Sequence, residues 1–218
     1  MKTIQLGGHE FVSHLGDLSD GFYSRPASAV LGAAIHHDAA FFDGADKNFN
    51  GTSLDEEVAR VKAIHRMHTQ TNGWAGIGYH ILVAPSGRLH LVGDLLSVRA
   101  HVAHRNTELV GICGMGDFTA RPPMLGTQLG YANALKACET AIGPLLPYRG
   151  HRDWVRPEHL AQWATACPGD MYKSWLGNLA AINEAQARRA IYAALEPNLM
   201  KGDLKALHAQ IHWLTGAS

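Results

Sequence analysis

Short apolar runs alternate with segments of helical periodicity through residues 28–176, and this alternation limits the folds open to the chain. The run at 29–37 begins after Pro26 and is too short for a buried helix, so it predicts a buried strand. The sequence from Ser53 to Glu56 has the form of a capping box, which predicts a helix running to about Thr69. Further strands are expected at 78–83, 88–92, 109–115 and 147–150, and further helical segments at 127–142 and 171–176. Strands and helices in alternation around a buried sheet predict an α/β fold.

Composition excludes several classes of protein. Lys plus Arg and Asp plus Glu are both 19, so the formal charge is zero and no nucleic-acid partner is expected. No apolar run approaches the ~20 residues of a membrane-spanning helix, so no membrane anchor is expected. The first ten residues lack an apolar stretch typical of a signal peptide, which favours synthesis and retention in the cytoplasm. The chain has 3 cysteines, an odd and sparse set that argues against a disulfide scaffold.

Three segments are predicted along the chain. Residues 1–27 are rich in turn formers and are expected to be an irregular lead-in, with at most a short strand. Residues 28–176 form the main domain. Residues 177–218 are expected to be a helical extension, with helices at 178–195 and 203–214. This extension either packs on its own domain or provides a surface through which copies of the chain associate.

Among the 14 histidines, two are candidate metal ligands together with one cysteine. His37 ends the first predicted strand, His151 follows Gly150, and Cys167 precedes a Pro-Gly pair. Two imidazoles and a thiolate suit Zn²⁺, and three protein ligands leave a fourth position for water. His36 is the alternative to His37 for this role. Neighbouring residues of a strand point to opposite faces, so only one of the two can point to the metal.

Six ordered blocks of sequence resemble the zinc-dependent type-two N-acetylmuramoyl-L-alanine amidases. That family includes phage lysozyme-type amidases and the peptidoglycan recognition proteins. The blocks are Ile35-His36-His37-Asp38-Ala39; Gly73 to Val83 with Gly87 and Arg88; His101, Asn106 and Val110-Gly111-Ile112; Gly116-Asp117-Phe118; Gly150-His151-Arg152-Asp153; and Cys167-Pro168-Gly169. The resemblance covers about residues 29–170 and implies a central mixed β-sheet flanked by helices, with the helical extension after it.

The resemblance also assigns roles to single residues. It implies that one Zn²⁺ per chain is held by His37, His151 and Cys167. It places Tyr79 near the zinc-bound water, where the phenol is a candidate to stabilise an oxyanion. Thr165 stands where the phage branch has a lysine, and Cys113 stands where some members have a glutamate base. The candidates for the proton shuttle are therefore Tyr79, Thr165 and His101.

Four residues are expected to bind substrate. His101 matches a substrate-contacting histidine of the family, and Asn106 matches a neighbouring position that supports the same loop. Trp74 either packs in the core or provides a platform on which a sugar ring stacks. His104 lies in a polar loop that either faces solvent or lines the cleft.

The resemblance implies a peptidoglycan hydrolase that uses zinc-activated water to cleave the amide between N-acetylmuramic acid and L-alanine. Bacterial peptidoglycan is the expected partner. Without a readable signal peptide, a phage or prophage endolysin that reaches the cell wall after release is the favoured setting. Two alternatives stay open: a non-catalytic peptidoglycan-binding protein of the same fold, and a cytoplasmic amidase that recycles muropeptides.

Overall fold

The computed structural model describes residues 2–39, 49–145, 147–182 and 185. The chain divides into two units, Met1–Leu179 and Ala180–Ser218. The first unit contains the sheet and the candidate site. The predicted C-terminal helices lie almost entirely outside the described residues, so they and their proposed role in association stay predictions.

A mixed β-sheet forms the centre of the first unit, as the sequence predicted. Its strands within the described ranges are β1 (Lys2–Leu6), β2 (His9–Ser13), β3 (Gly32–His37), β4 (Ile81–Val83), β5 (Leu89–Leu91), β6 (Leu109–Gly114) and β7 (Tyr148–Gly150). They lie in the order β1-β2-β5-β4-β6-β3-β7. Strand β3 pairs in parallel with β6 and β7, whereas β1/β2 and β4/β5 are antiparallel. Strands β3 and β6 are buried along their whole length, as expected for parallel strands covered on both faces.

Five α-helices accompany the sheet in the described part of the chain up to residue 176, and residues 178–182 are also helical. The five helices are α1 (Leu54–Arg66), α2 (Leu125–Ile142), α3 (His151–Trp154), α4 (Leu160–Trp163) and α5 (Tyr172–Leu176). A π-helical turn, Met67–Thr71, continues α1, and 3₁₀ turns lie at Ala27–Ala29 and Pro157–His159. None of the described helices combines the length and apolar character needed to cross a bilayer.

The N-terminal residues differ from the predicted irregular lead-in. β1 and β2 form an antiparallel hairpin, and β2 also pairs in parallel with β5, so the hairpin extends the sheet. Gly7 and Gly8 both have positive φ values, 56° and 83°, as the two central residues of a type I′ hairpin turn require. The Gly-Gly pair is itself a hairpin signal, but the flanking strand pattern is weak because β1 is mostly exposed.

The capping box predicted at the start of α1 is confirmed. The Ser53 hydroxyl accepts a hydrogen bond from the Glu56 N–H at 3.3 Å, and the Glu56 carboxylate accepts one from the Ser53 N–H at 3.1 Å. Both bonds satisfy N–H groups that have no partner within the helix. The capping box fixes the residue at which α1 begins. The buried face of this helix packs against the sheet.

We expect Ser53→Ala to lower the free energy of unfolding by about 1 kcal/mol, because the helix loses its side-chain cap. Urea unfolding followed by circular dichroism measures this change. Ser28→Ala, at an exposed serine outside the helices α1 to α5, is the matched control and should change stability by less than about 0.5 kcal/mol. Equal effects of the two substitutions would contradict a stabilising cap.

A buried polar network links α1 to the N-terminal hairpin. The Glu57 carboxylate accepts hydrogen bonds from the Ser86 hydroxyl at 2.5 Å, the Arg88 guanidinium at 2.5 Å and the His90 Nε2–H at 3.0 Å. Because His90 donates from Nε2, its Nδ1 is free to accept from His14 Nε2 at 3.1 Å. Burial, followed by the neighbouring His90, lowers the pKa of His14 to about 4, so this imidazole is neutral at pH 7.

Candidate metal centre

The structure brings one imidazole-imidazole-thiol cluster together among the described residues. Ligand atoms of His36, His151 and Cys167 all lie within 4.8 Å of one another. His36 Nδ1 is 3.7 Å from Cys167 Sγ, and the rings of His36 and His151 have centroids 4.5 Å apart. Ile35 pairs with Gly150 across the parallel strands β3 and β7, so the two histidines that follow lie side by side.

His36 occupies the position that the sequence analysis assigned to His37. His37 lies on the opposite face of β3, where its Nδ1 accepts a hydrogen bond from the Phe118 N–H at 2.9 Å and lies 3.7 Å from the Asp117 carboxylate. The structure therefore places His36, rather than the predicted His37, beside His151 and Cys167. His37 still contributes to the site, because its backbone N–H donates to Cys167 Sγ at 3.4 Å.

The electrostatics of the three side chains fit a divalent zinc ion. Burial lowers the pKa of His36 well below its usual value and that of His151 to about 4, so both imidazoles keep a free lone pair at neutral pH. Burial raises the pKa of the Cys167 thiol to about 12. A nearby cation is what stabilises a thiolate in such surroundings. Two neutral imidazoles and one thiol that ionises on binding are the donor set of a three-ligand zinc site.

Backbone contacts hold the loop that carries Cys167. The Cys167 N–H donates to the Thr165 hydroxyl at 3.1 Å, and the Cys167 carbonyl accepts from the Arg152 N–H at 3.0 Å. Gly169 has φ of 105°, and a side chain there would collide with the Phe118 carbonyl. The Cys-Pro-Gly motif thus allows the loop to pass close enough to bring the thiol to β3.

Tyr79 lies beside the cluster, with its ring centroid 5.1 Å from that of His36. Burial, followed by the nearby thiols of Cys113 and Cys167, raises the pKa of the phenol well above its usual value. The phenol therefore keeps its proton at neutral pH and remains a hydrogen-bond donor. Cys113 is fully buried on β6 and contributes no atom to the cluster.

His101 and Asn106 lie behind His36. His101 is 7% exposed, and its Nδ1 is 3.2 Å from His36 Nε2. The Asn106 side-chain oxygen accepts hydrogen bonds from the N–H groups of His101 at 2.9 Å and Val102 at 2.8 Å. Through these two bonds Asn106 supports the loop. His101, in contrast, faces His36, a proposed metal ligand.

Trp74 and His104 contribute no atom to the three-residue cluster. Trp74 is 36% exposed, with its ring 4.6 Å from that of His68. His104 stacks on His159 at 3.9 Å and, with Asn106, lines an open cavity of about 340 Å³. Both side chains reach solvent, so their roles in substrate binding stay proposals.

Two supports of the cluster were missed by sequence reasoning. The Tyr131 hydroxyl on α2 donates to the His36 carbonyl at 2.5 Å and accepts from the Gly114 N–H at 2.8 Å. Arg60 on α1 forms a bidentate ion pair with the Asp38 carboxylate, with hydrogen bonds of 2.8 and 3.0 Å, and both side chains are buried. In the sequence, the only indication of a role for Arg60 was its charge on the predicted buried face of a helix. No sequence feature indicated a role for Tyr131.

The chain is similar in sequence to several known proteins. The chain is 30% identical over 140 residues to an N-acetylmuramoyl-L-alanine amidase of Sus scrofa, covering 61% of this chain and 22% of that protein. It is 24% identical over 143 residues to peptidoglycan-recognition protein SC2 of Drosophila simulans, covering 66% of this chain and 70% of that protein. The chain is homologous to these amidases and recognition proteins. The matched part of this chain spans about a fifth of the length of the pig amidase.

The solved structure of bumblebee PGRP-SA has the same fold as this chain. Its TM-score is 0.60 at 23% identity, covering 76% of this chain and 95% of that chain. No family model matches the chain. The fold prediction of a mixed sheet flanked by helices is confirmed.

Proposed function

We propose that this chain is a zinc-dependent amidase that cleaves the bond between N-acetylmuramic acid and L-alanine in bacterial peptidoglycan. The observation that carries the proposal is the cluster of His36, His151 and Cys167, with ligand atoms within 4.8 Å of one another. Homology to proteins named as amidases and peptidoglycan-recognition proteins supports peptidoglycan cleavage or binding. A retained thiol beside two neutral imidazoles favours cleavage over binding alone.

The proposed chemistry assigns separate tasks to the side chains. When bound, Zn²⁺ supplies a Lewis acid that polarises the amide carbonyl and lowers the pKa of water. His36, His151 and Cys167 would hold the ion. The Tyr79 phenol, which stays protonated, donates a hydrogen bond to the carbonyl oxygen as negative charge develops there.

The leaving amine needs a proton, and the contacts narrow the donors. Both ring nitrogens of His101 are engaged, Nδ1 with His36 and Nε2 with the Leu109 carbonyl, so His101 is dropped from the shuttle. Thr165 uses its hydroxyl oxygen to accept from Cys167, which leaves its O–H free to donate. Tyr79 and Thr165 therefore remain the two candidates for the general acid.

Digestion of purified peptidoglycan tests the proposal. The zinc-loaded chain is incubated with cell walls, new amino termini are labelled, and the products are identified by mass spectrometry. We expect free L-alanine amino termini and intact glycan strands, with Cys167→Ser as the inactive control. A chain that binds zinc and walls but releases no L-alanine amino terminus would be a recognition protein instead.

The biological setting is proposed to be that of a phage or prophage endolysin. An endolysin acts on the cross-linked wall, so intact walls should be hydrolysed at least as fast as soluble anhydro-muropeptides. Parallel assays with the two substrates at equal amide concentration measure the ratio. Strong preference for the soluble fragments would instead indicate an amidase that recycles muropeptides.

We expect Tyr79→Phe to bind one zinc per chain while kcat falls by about 10²- to 10³-fold, because one oxyanion donor is lost. The ring packs as before, so the fold and the metal ligands should be unaffected. Atomic absorption gives the zinc content, and the release of L-alanine amino termini gives the rate. Tyr148→Phe on β7 is the matched control and should retain the wild-type rate; full activity of Tyr79→Phe would assign the phenol a packing role.

A further inference from the structure

A chain of hydrogen bonds runs from a backbone carbonyl to the proposed metal. The Leu109 carbonyl can only accept, so His101 donates to it from Nε2 at 3.3 Å. A neutral imidazole carries one N–H, which leaves a lone pair on His101 Nδ1. His36 therefore donates its Nε2–H to that atom at 3.2 Å. The remaining nitrogen of His36, Nδ1, carries the lone pair and is the atom 3.7 Å from Cys167 Sγ.

The surroundings of His101 fix its ring in this orientation. The Asn106 side-chain oxygen accepts hydrogen bonds from the backbone N–H groups of His101 and Val102, which fixes the backbone there. Gly111 on β6 leaves room for the ring, since a Cβ at that position would lie 2.8 Å from His101 Cγ. His101 is almost fully buried, so a polymeric substrate has little of this ring to contact.

We propose that His101 is a positioning residue that holds His36 in the Nε2–H tautomer and aims its Nδ1 at the metal. This inference rests on the proposed zinc-dependent function and gives His101 a role other than the substrate contact implied by the resemblance. Partners of this kind set the tautomer and ring angle of a metal-bound imidazole. The metal affinity of the site then depends on a residue that never touches the metal.

Zinc affinity separates a positioning residue from a substrate contact. His101→Phe keeps the ring volume and removes the acceptor, so we expect the zinc dissociation constant to rise by about 10- to 100-fold. Competition with a chromogenic chelator measures it. The control is His14→Phe, which removes another buried histidine outside the cluster and should leave zinc affinity unchanged. Wild-type zinc affinity in His101→Phe, with a raised KM for peptidoglycan, would overturn the inference.

The tautomer itself is observable in the wild-type chain, which covers the case of a variant that does not fold. Nitrogen NMR of ¹⁵N-histidine-labelled, metal-free protein should show His36 protonated at Nε2 and unprotonated at Nδ1. A His36 ring protonated at Nδ1 would overturn the inference. A wild-type chain that binds no zinc would instead defeat the proposed function, so the two failures are distinguishable.

Discussion

His36→Ala is expected to lose zinc binding and peptidoglycan cleavage together, whereas His37→Ala is expected to keep both. His36 presents Nδ1 to His151 and Cys167, so its loss leaves two ligands. Removal of a residue that only supports a metal ligand lowers zinc affinity by up to about 100-fold, and the loss in His36→Ala should be larger. Activity should fall to that of a protein-free blank. Zinc content by atomic absorption and the release of L-alanine amino termini measure the two effects.

His37→Ala is the neighbouring control on the same strand. Its imidazole accepts from the Phe118 N–H, so removal leaves a buried donor unpaired and costs about 1–3 kcal/mol of stability. Zinc stoichiometry should nevertheless stay at one per chain when measured well below the unfolding temperature. A His37→Ala protein without zinc, beside a His36→Ala protein that retains it, would restore the original ligand assignment.

Cys167→Ser should resemble His36→Ala in both measurements. A serine hydroxyl has no accessible anionic form at neutral pH, so the third ligand is lost while the loop keeps its shape. The Cys138→Ser variant is a control for thiol removal, because Cys138 is buried in α2 and contributes no atom to the cluster. It should keep full zinc content.

Acidification is expected to destabilise the metal-free chain strongly between pH 6.5 and pH 4. Burial lowers the pKa of both His14 and His68 from 6.5 to about 4. In this window the unfolded chain binds protons that the folded chain does not, so the free energy of unfolding falls as the pH falls. Each group contributes up to about 1.4 kcal/mol per pH unit, or about 3 kcal/mol over the window. Below the folded pKa the loss levels off.

Urea unfolding at half-unit pH steps measures this dependence. His14→Phe removes one of the two groups, so the slope against pH should fall by up to about 1.4 kcal/mol per unit. The comparison with wild type cancels the contributions of titrating groups that do not interact with His14. An unchanged slope would show that His14 titrates alike in the folded and unfolded chains.

Local patterns in the sequence were sufficient for the main elements of the fold. The capping box at Ser53 depends on contacts between near neighbours, and the apolar run before His36 identifies a buried strand by composition alone, so both could be predicted. The hairpin of β1 and β2 could not, because β1 carries little apolar signal and the hairpin joins the sheet through the pairing of β2 with the distant strand β5. Pairing energy of this kind depends on the whole sheet and leaves a weak trace in the strand.

The residue types of the metal centre were also readable, since Cys167 and His151 belong to distinct motifs. The choice between His36 and His37 was not, because alternation along β3 says only that the two point to opposite faces. Which face carries the site depends on where β7 and the Cys167 loop lie, and those are separated from β3 by more than 100 residues of sequence. The role of His101 depends likewise on a hydrogen bond across 65 residues. Residue chemistry is thus a property of the chain, whereas the direction in which each ring nitrogen points arises from packing between distant segments.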